Sequence, residues 1–305
     1  MFQVTFLGTA GSLPTPDRSP SAVLVNREGE LHLFDCGEGT QRQMMLAKTG
    51  MMRLGHIFLS HLHADHILGI PGLLETMAFQ GRTEPLTIAG PARTSSVMKL
   101  FSALGCCSKS FPIEVLELAP GDEISMDGYR VLALETYHSV PSLGYCLVED
   151  MRPGRFNRSR AVELGVPPGP LFGRLQRGET IVLDGRFIRS EEVMGPPRRG
   201  RKLVYTGDTR PCQAVEEAAR DADILIHDSA LADDMLDWAV STRHSTAGEA
   251  GALAARAKAR LLVLTHISSR YSEDTTSLLE DARRHFRDVI VAADLMRIDV
   301  PLRDD

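Results

Sequence analysis

The segment Ile57-Phe58-Leu59-Ser60-His61-Leu62-His63-Ala64-Asp65-His66 runs an apolar strand directly into three histidines and an aspartate. In extended chain, side chains two apart point the same way, so His61 and His63 can hold one cation together. Asp65 and His66 fall where the chain must turn into the helix that follows, and they face a slightly different point. Two pairs from one loop suit two metal ions roughly 3.5–4 Å apart. Imidazole with carboxylate favours zinc, with manganese and iron left open. Three histidines and an acid in so short a stretch would be costly to desolvate without a metal, so ligation is the reading this cluster favours.

Two zinc ions need further ligands, and other strand ends offer them. His138 follows the strand predicted over 130–136, Asp208 follows Leu203-Val204-Tyr205-Thr206, and His266 follows Leu261-Leu262-Val263-Leu264-Thr265. Each is a lone polar residue just beyond an apolar strand, where ligands collect in sheet proteins. Taken singly these are weak signals. A lone histidine is more often a hydrogen-bonded surface or core residue, and Gly207-Asp208-Thr209 is more often a turn. The histidine cluster raises all three.

The elements that must position these residues read as strands and helices in alternation. Strand-like runs fall at 2–7, 21–26, 31–35, 57–60, 86–88, 113–118 and 130–136, with helical periodicity around 40–49, 68–79 and 92–104. After Lys202 come apolar strands Leu203–Thr206, Ile224–His227 and Leu261–Thr265, with helices near 213–220, 246–258 and 274–286. Such alternation implies sheets covered by helices, an α/β protein. A single domain over 1–305 is expected, with an insert at about 151–200. That stretch repeats Pro, Gly and Arg, as in Arg152-Pro153-Gly154-Arg155 and Val166-Pro167-Pro168-Gly169-Pro170. It is expected to lack a core of its own and to project as an arm.

Charge is divided along the same boundary. Residues 151–202 carry 12 basic against 5 acidic residues, a balance of +7, while the rest of the chain stands at −13 within a net charge of −6. Opposite signs on two parts of one chain fit a basic nucleic-acid-binding arm on an acidic catalytic body. The five cysteines form no Cys-x-x-Cys pair, which argues against a disulfide framework or a cysteine zinc site and fits a reducing compartment. The start at Met1 reads as a strand, and no apolar run approaches the roughly 18 residues needed to cross a bilayer. A cytoplasmic location and no membrane partner are expected.

In order and spacing, His61-x-His63-x-Asp65-His66, His138, Asp208 and His266 resemble the ligands of the metallo-β-lactamase superfamily. Other segments are similar to its tRNase Z (ribonuclease Z) branch: Phe34-Asp35-Cys36-Gly37-Glu38, Pro167-Pro168-Gly169-Pro170, Gly207-Asp208-Thr209-Arg210, His244-Ser245-Thr246 and Leu264-Thr265-His266-Ile267-Ser268. The proline-rich arm and His244-Ser245-Thr246 are the selective ones. The resemblance implies a four-layer αββα sandwich. It implies one zinc on His61, His63 and His138, a second on Asp65, His66 and His266, and Asp208 bridging. It implies that arm residues, Arg152, Arg155, Arg158, Arg160, Gly169 and Pro170 among them, hold precursor tRNA, and that the chain forms a homodimer. One departure is His227-Asp228, where many relatives show His-Glu; the shorter acid must still reach His244 if it orients that ring.

The activity so implied is endonucleolytic removal of the 3′ trailer, with a 3′-hydroxyl left on the tRNA. Asp65 is assigned to orient the attacking water and take its proton, and His244 to assist the departing 3′ oxygen. The alternative is a hydrolase of another small phosphodiester or ester on the same fold, because fold alone does not fix substrate. A binding protein with a vestigial site is disfavoured by the complete ligand set.

Overall fold

The computed structural model describes residues 2–103 and 111–303. Cys106 and Cys107 lie outside them, while Cys36, Cys146 and Cys212 are free thiols. The chain divides into two compact units, one of residues 1–148 and 202–301, the other of 149–201 with 302–305.

The larger unit holds two seven-stranded sheets. In the first the order is Arg297–Asp299, Phe2–Gly8, Ala22–Arg27, Glu30–Phe34, Leu54–Phe58, Leu86–Gly90, Ile113–Glu117. In the second it is Val289–Val291, Leu262–Thr265, Ile224–Asp228, Lys202–Tyr205, Leu143–Glu149, Tyr129–Glu135, Glu123–Met126. Period-two alternation sorts the side chains into layers. Val23, Val25, Phe34 and Phe58 of the first sheet meet Tyr145, Tyr205, Ile224 and Ile226 of the second in one cluster. Leu24, Leu31, Leu33 and Ile57 point the other way, onto helices Thr40–Leu46, Ile70–Phe79 and Thr94–Ala103. Val204, Leu225 and Leu264 likewise cover helices Gln213–Ala218, Ala247–Ala257 and Thr276–Arg283. The result is the αββα sandwich that the ligand pattern implied. Both faces of the central strands are buried, which is why they read as unbroken apolar runs.

The smaller unit departs from expectation. Its helices Arg158–Glu163 and Pro170–Gln176 and the hairpin Ile181–Leu183/Arg186–Ile188 enclose a small core of Ala161, Val166, Leu175, Ile181, Ile188 and Val193. Most of its elements contribute a single apolar residue or two, too few to register as periodicity, and several together suffice for a cluster. At its ends Arg201 grips the Glu149 carboxylate with two hydrogen bonds of 2.7 Å, both side chains buried. Gly169, with φ of 153°, precedes Pro170 at the first position of a helix, a backbone angle that favours glycine.

Candidate metal centre

Strand Leu54–Phe58 ends before Ser60, and the loop after it carries His61 and His63 before a single helical turn, Ala64–Ile67, begins. Extended backbone at His63 and helical backbone at Asp65 and His66 divide the motif into two pairs, as the spacing suggested. The Gly207-Asp208 turn reaches the same place because Gly207 has φ of 58° and no side chain. A Cβ there would stand 2.4 Å from Ser60 Cβ. His266 follows Leu262–Thr265 in a left-handed conformation, φ 62°, a strain of about 1–3 kcal/mol that non-glycine residues tolerate mainly at functional sites.

The structure brings all seven predicted residues together, in two overlapping groups. In the first, His61 Nε2 lies 3.0 Å from His63 Nδ1 and 3.6 Å from Asp208 Oδ2, and His138 Nε2 lies 3.4 Å from His63 Nδ1. In the second, His66 Nε2 and His266 Nε2 stand 3.5 and 3.6 Å from Asp65 Oδ2. Asp208 joins them, its Oδ1 3.4 Å from His66 Nε2 and its Oδ2 3.2 Å from His266 Nε2. The donor atoms of His61, His63, His138 and Asp208 lie within 4.8 Å of one another, as do those of Asp65, His66 and His266 and those of Asp208, Asp228, His244 and His266, spans that can hold a metal ion.

Whether these residues suit a cation is decided by their unmet polar atoms. His66 Nε2, Asp208 Oδ1 and both ring nitrogens of His266 are buried without a hydrogen-bond partner. Each such atom ordinarily costs about 1–3 kcal/mol. Three of them, His66 Nε2, Asp208 Oδ1 and His266 Nε2, sit among the predicted donors and fit a metal, which satisfies them together, while His266 Nδ1 faces Asp228 Oδ1 at 3.8 Å. Electrostatics agree. Burial would raise the Asp208 pKa, but His266, His66 and His61 hold it well below the carboxylate range. Burial would raise Asp65 too, and hydrogen bonding to His266 and His66 outweighs it, so Asp65 also stays ionised.

A layer that sequence reasoning left without a role supports the donors. Asp35, left-handed at φ 58°, takes hydrogen bonds from Ser60 N and Ser60 Oγ at 2.7 Å and from the Tyr205 hydroxyl at 2.6 Å. Its Oδ2 is 2.8 Å from His66 Nδ1, which fixes that nitrogen as the donor and leaves Nε2 for the centre. Two signals were available: Asp35 follows an apolar strand, as the predicted ligands do, and it lies in Phe34-Asp35-Cys36-Gly37-Glu38, a segment that resembles the family.

His244 stands beside the ligands, its ring 5.1 Å from His138 and 5.0 Å from His266 between centroids. The shorter acid at 228 does reach it: Asp228 Oδ2 is 2.9 Å from His244 Nδ1. Burial alone would lower the His244 pKa, but the Asp228 carboxylate, with Asp208 behind it, raises it to about 9. Arg210 donates to the His244 carbonyl at 2.7 Å and forks onto Glu249, which closes the capping box of helix Ala247–Ala257 with Thr246. The predicted arm residues lie apart in sequence and in the other unit. There Arg155, Arg158, Gly169 and Pro170 are exposed. Arg160 pairs with Glu163 at 3.1 Å, and Arg152 donates to the Arg199 and Arg303 carbonyls.

A model described as "Beta-lactamase superfamily domain" matches residues 181–267, and one described as "Anti-Pycsar protein Apyc1" matches residues 2–105. Ribonuclease Z of Methanosarcina acetivorans is 61% identical over 305 residues, the whole of both chains. The chain belongs to the ribonuclease Z family. Ribonuclease Z of Archaeoglobus fulgidus is 48% identical over 301 residues, 98% of each chain. The short form of human tRNase Z has a TM-score of 0.73 at 30% identity, covering 98% of this chain and 100% of that one. YhfI of Bacillus subtilis, a metallo-β-lactamase fold protein, has a TM-score of 0.71 at 21% identity over 97% of this chain and shares the fold.

Proposed function

We propose that this chain is a zinc-dependent endoribonuclease that cuts the 3′ trailer from tRNA precursors and leaves a 3′-hydroxyl on the tRNA. The observation that carries the reading is the seven-residue donor cage in a chain 61% identical, end to end, to a Ribonuclease Z. His61, His63 and His138 would hold one zinc, Asp65, His66 and His266 the other, and Asp208 would serve both. Bound there, the metals supply Lewis acidity, making water nucleophilic near neutral pH and neutralising charge on the non-bridging phosphate oxygens.

The chain's own residues do the rest. Asp65 is held ionised, so it orients the attacking water and accepts its proton. The Ser12 amide, 3.0 Å from Asp65 Oδ2, fixes the direction of that carboxylate. His244 is the proton donor to the departing 3′ oxygen: the Asp228 carboxylate on its Nδ1 favours the protonated ring. Asp228 holds the ring by Nδ1, which directs Nε2 outward.

The basic segment, with Arg152, Arg155, Arg158, Arg160, Gly169 and Pro170, is assigned to the tRNA body, recognised by shape and backbone. One catalytic body with this segment inserted, acting as a homodimer in the cytoplasm, completes the reading. Among the described residues no helix is long and apolar enough to cross a membrane. The test is chelation and restoration: enzyme stripped of metal should stop cutting a trailered precursor and recover with two equivalents of zinc. Undiminished cleavage by the stripped enzyme would refute the assignment.

A further inference from the structure

A cleft of about 250 Å³ opens beside the centre, and His244 and His266 both line it. Trp238 lines it too. This is the only tryptophan in the chain, it is 51% exposed, and it sits on helix Leu236–Thr242, just past whose end the left-handed Arg243 leads the chain to His244. Leu13, 63% exposed, and the exposed Arg270 share the same cleft. Nothing in the core requires a large aromatic here, and leaving it half in water forgoes burial that aromatic side chains usually gain. Exposed aromatics beside cations at nucleic-acid sites act as platforms on which bases stack.

We infer that this cleft takes the base of the nucleotide whose 3′ oxygen departs, stacked on Trp238. The inference rests on the precursor-tRNA reading above. The phosphate to be cut lies at the centre, one of whose donors, His266, lines this cleft with His244, so the ribose that bears the leaving oxygen lies against them. The base on that ribose then has the cleft that His244 lines as its adjoining space. Leu13 offers it apolar surface, and Arg270 a cation for the phosphate on the 5′ side of the same nucleotide. A second cleft, about 370 Å³, meets the centre at His63 and is also lined by Arg93, Val97, Leu100 and Val140; among the described residues lining it, the one aromatic ring is the His63 imidazole. The contrast assigns the leaving nucleotide to the Trp238 side. Because every base has a π-face, such a platform accepts precursors that differ at this nucleotide.

With one tryptophan, fluorescence excited beyond the tyrosine absorption band reports on Trp238 alone. A tRNA ending in a 3′-hydroxyl at the cut position is titrated into metal-loaded enzyme, beside the same RNA with an abasic ribose at its last position. The intact RNA should quench the tryptophan and the abasic one should leave it nearly unchanged at saturation; equal signals overturn the inference. In turnover, Trp238→Ala should lower kcat/KM on the intact precursor about 5- to 150-fold, mainly through KM. Trp238→Phe should restore most of it, and the loss should vanish on a precursor abasic at that nucleotide. An equal loss on both precursors indicates a structural role and overturns the inference. Should wild-type enzyme leave the precursor uncut, the enzyme reading itself fails. Should it cut while Trp238→Ala is indifferent, only the base cleft fails.

Discussion

Asp35 touches no predicted ligand except His66, yet it takes hydrogen bonds from three other groups on two sheets. Partners of this kind orient a ligand ring, and their loss typically costs 10–100-fold in metal affinity or activity. Asp35→Asn is therefore expected to weaken zinc retention about 10- to 100-fold against a competing chelator. His244→Gln differs: metal content should stay at the wild-type level while kcat falls about 10²- to 10⁴-fold, the range for a lost proton donor. Loss of metal together with rate would remove His244 from the proton-donor role. The cluster of predicted ligands was legible in the sequence because each follows a strand end and four are packed into one motif. Asp35 was not, because its partners stand 25, 31 and 170 residues away and only the folded sheets bring them together.

At the scale of elements, the long apolar strands and the helices covering them were readable, since periods of two and 3.6 reflect what they pack against. Short edge strands such as Glu123–Met126 and Arg297–Asp299 were not; they alternate exposed and half-buried residues, but over four and three positions, too few to register as a period. One strand carries a pH-sensitive feature. His32 is buried between the sheets, its Nε2 2.7 Å from the Tyr129 hydroxyl and its ring against His56 and Phe58. Burial first, then His56 and Arg27, push its pKa down to about 3. The unfolded chain protonates this residue near 6.5. Its neutral folded form thus favours unfolding as pH falls from about 6.5 toward 3, by up to about 1.4 kcal/mol per pH unit. His32→Gln keeps a hydrogen-bonding group beside Tyr129 and should flatten that slope. Urea midpoints at pH 7 and pH 5 measure it, and identical slopes would contradict the assignment. Thr246→Ala, which opens the capping box of helix Ala247–Ala257, should cost about 1 kcal/mol in the same assay.

The whole molecule divides its charge as it divides its chain: +7 over residues 151–202 against −13 elsewhere. An acidic body suits cations, and a basic segment suits a polyanion. The composition of the segment was legible; its small core was not, because its apolar residues are scattered thinly over many elements. Removing residues 150–200 should leave hydrolysis of a small phosphodiester within a few-fold of wild type and abolish cleavage of precursor tRNA. Arg158→Glu should weaken precursor binding and reduce the dependence of log K on log salt by about one phosphate contact. Small-diester activity lost along with RNA cleavage would mean that the segment supports the body and does not serve RNA.

The most direct measurement is cleavage of a tRNA precursor carrying a 3′ trailer, beside Asp65→Ala, with both product ends mapped. A single cut at the 3′ end of the tRNA body, leaving a 3′-hydroxyl and lost in the variant, is the predicted result. An intact precursor under conditions where a small phosphodiester is still hydrolysed would contradict the account.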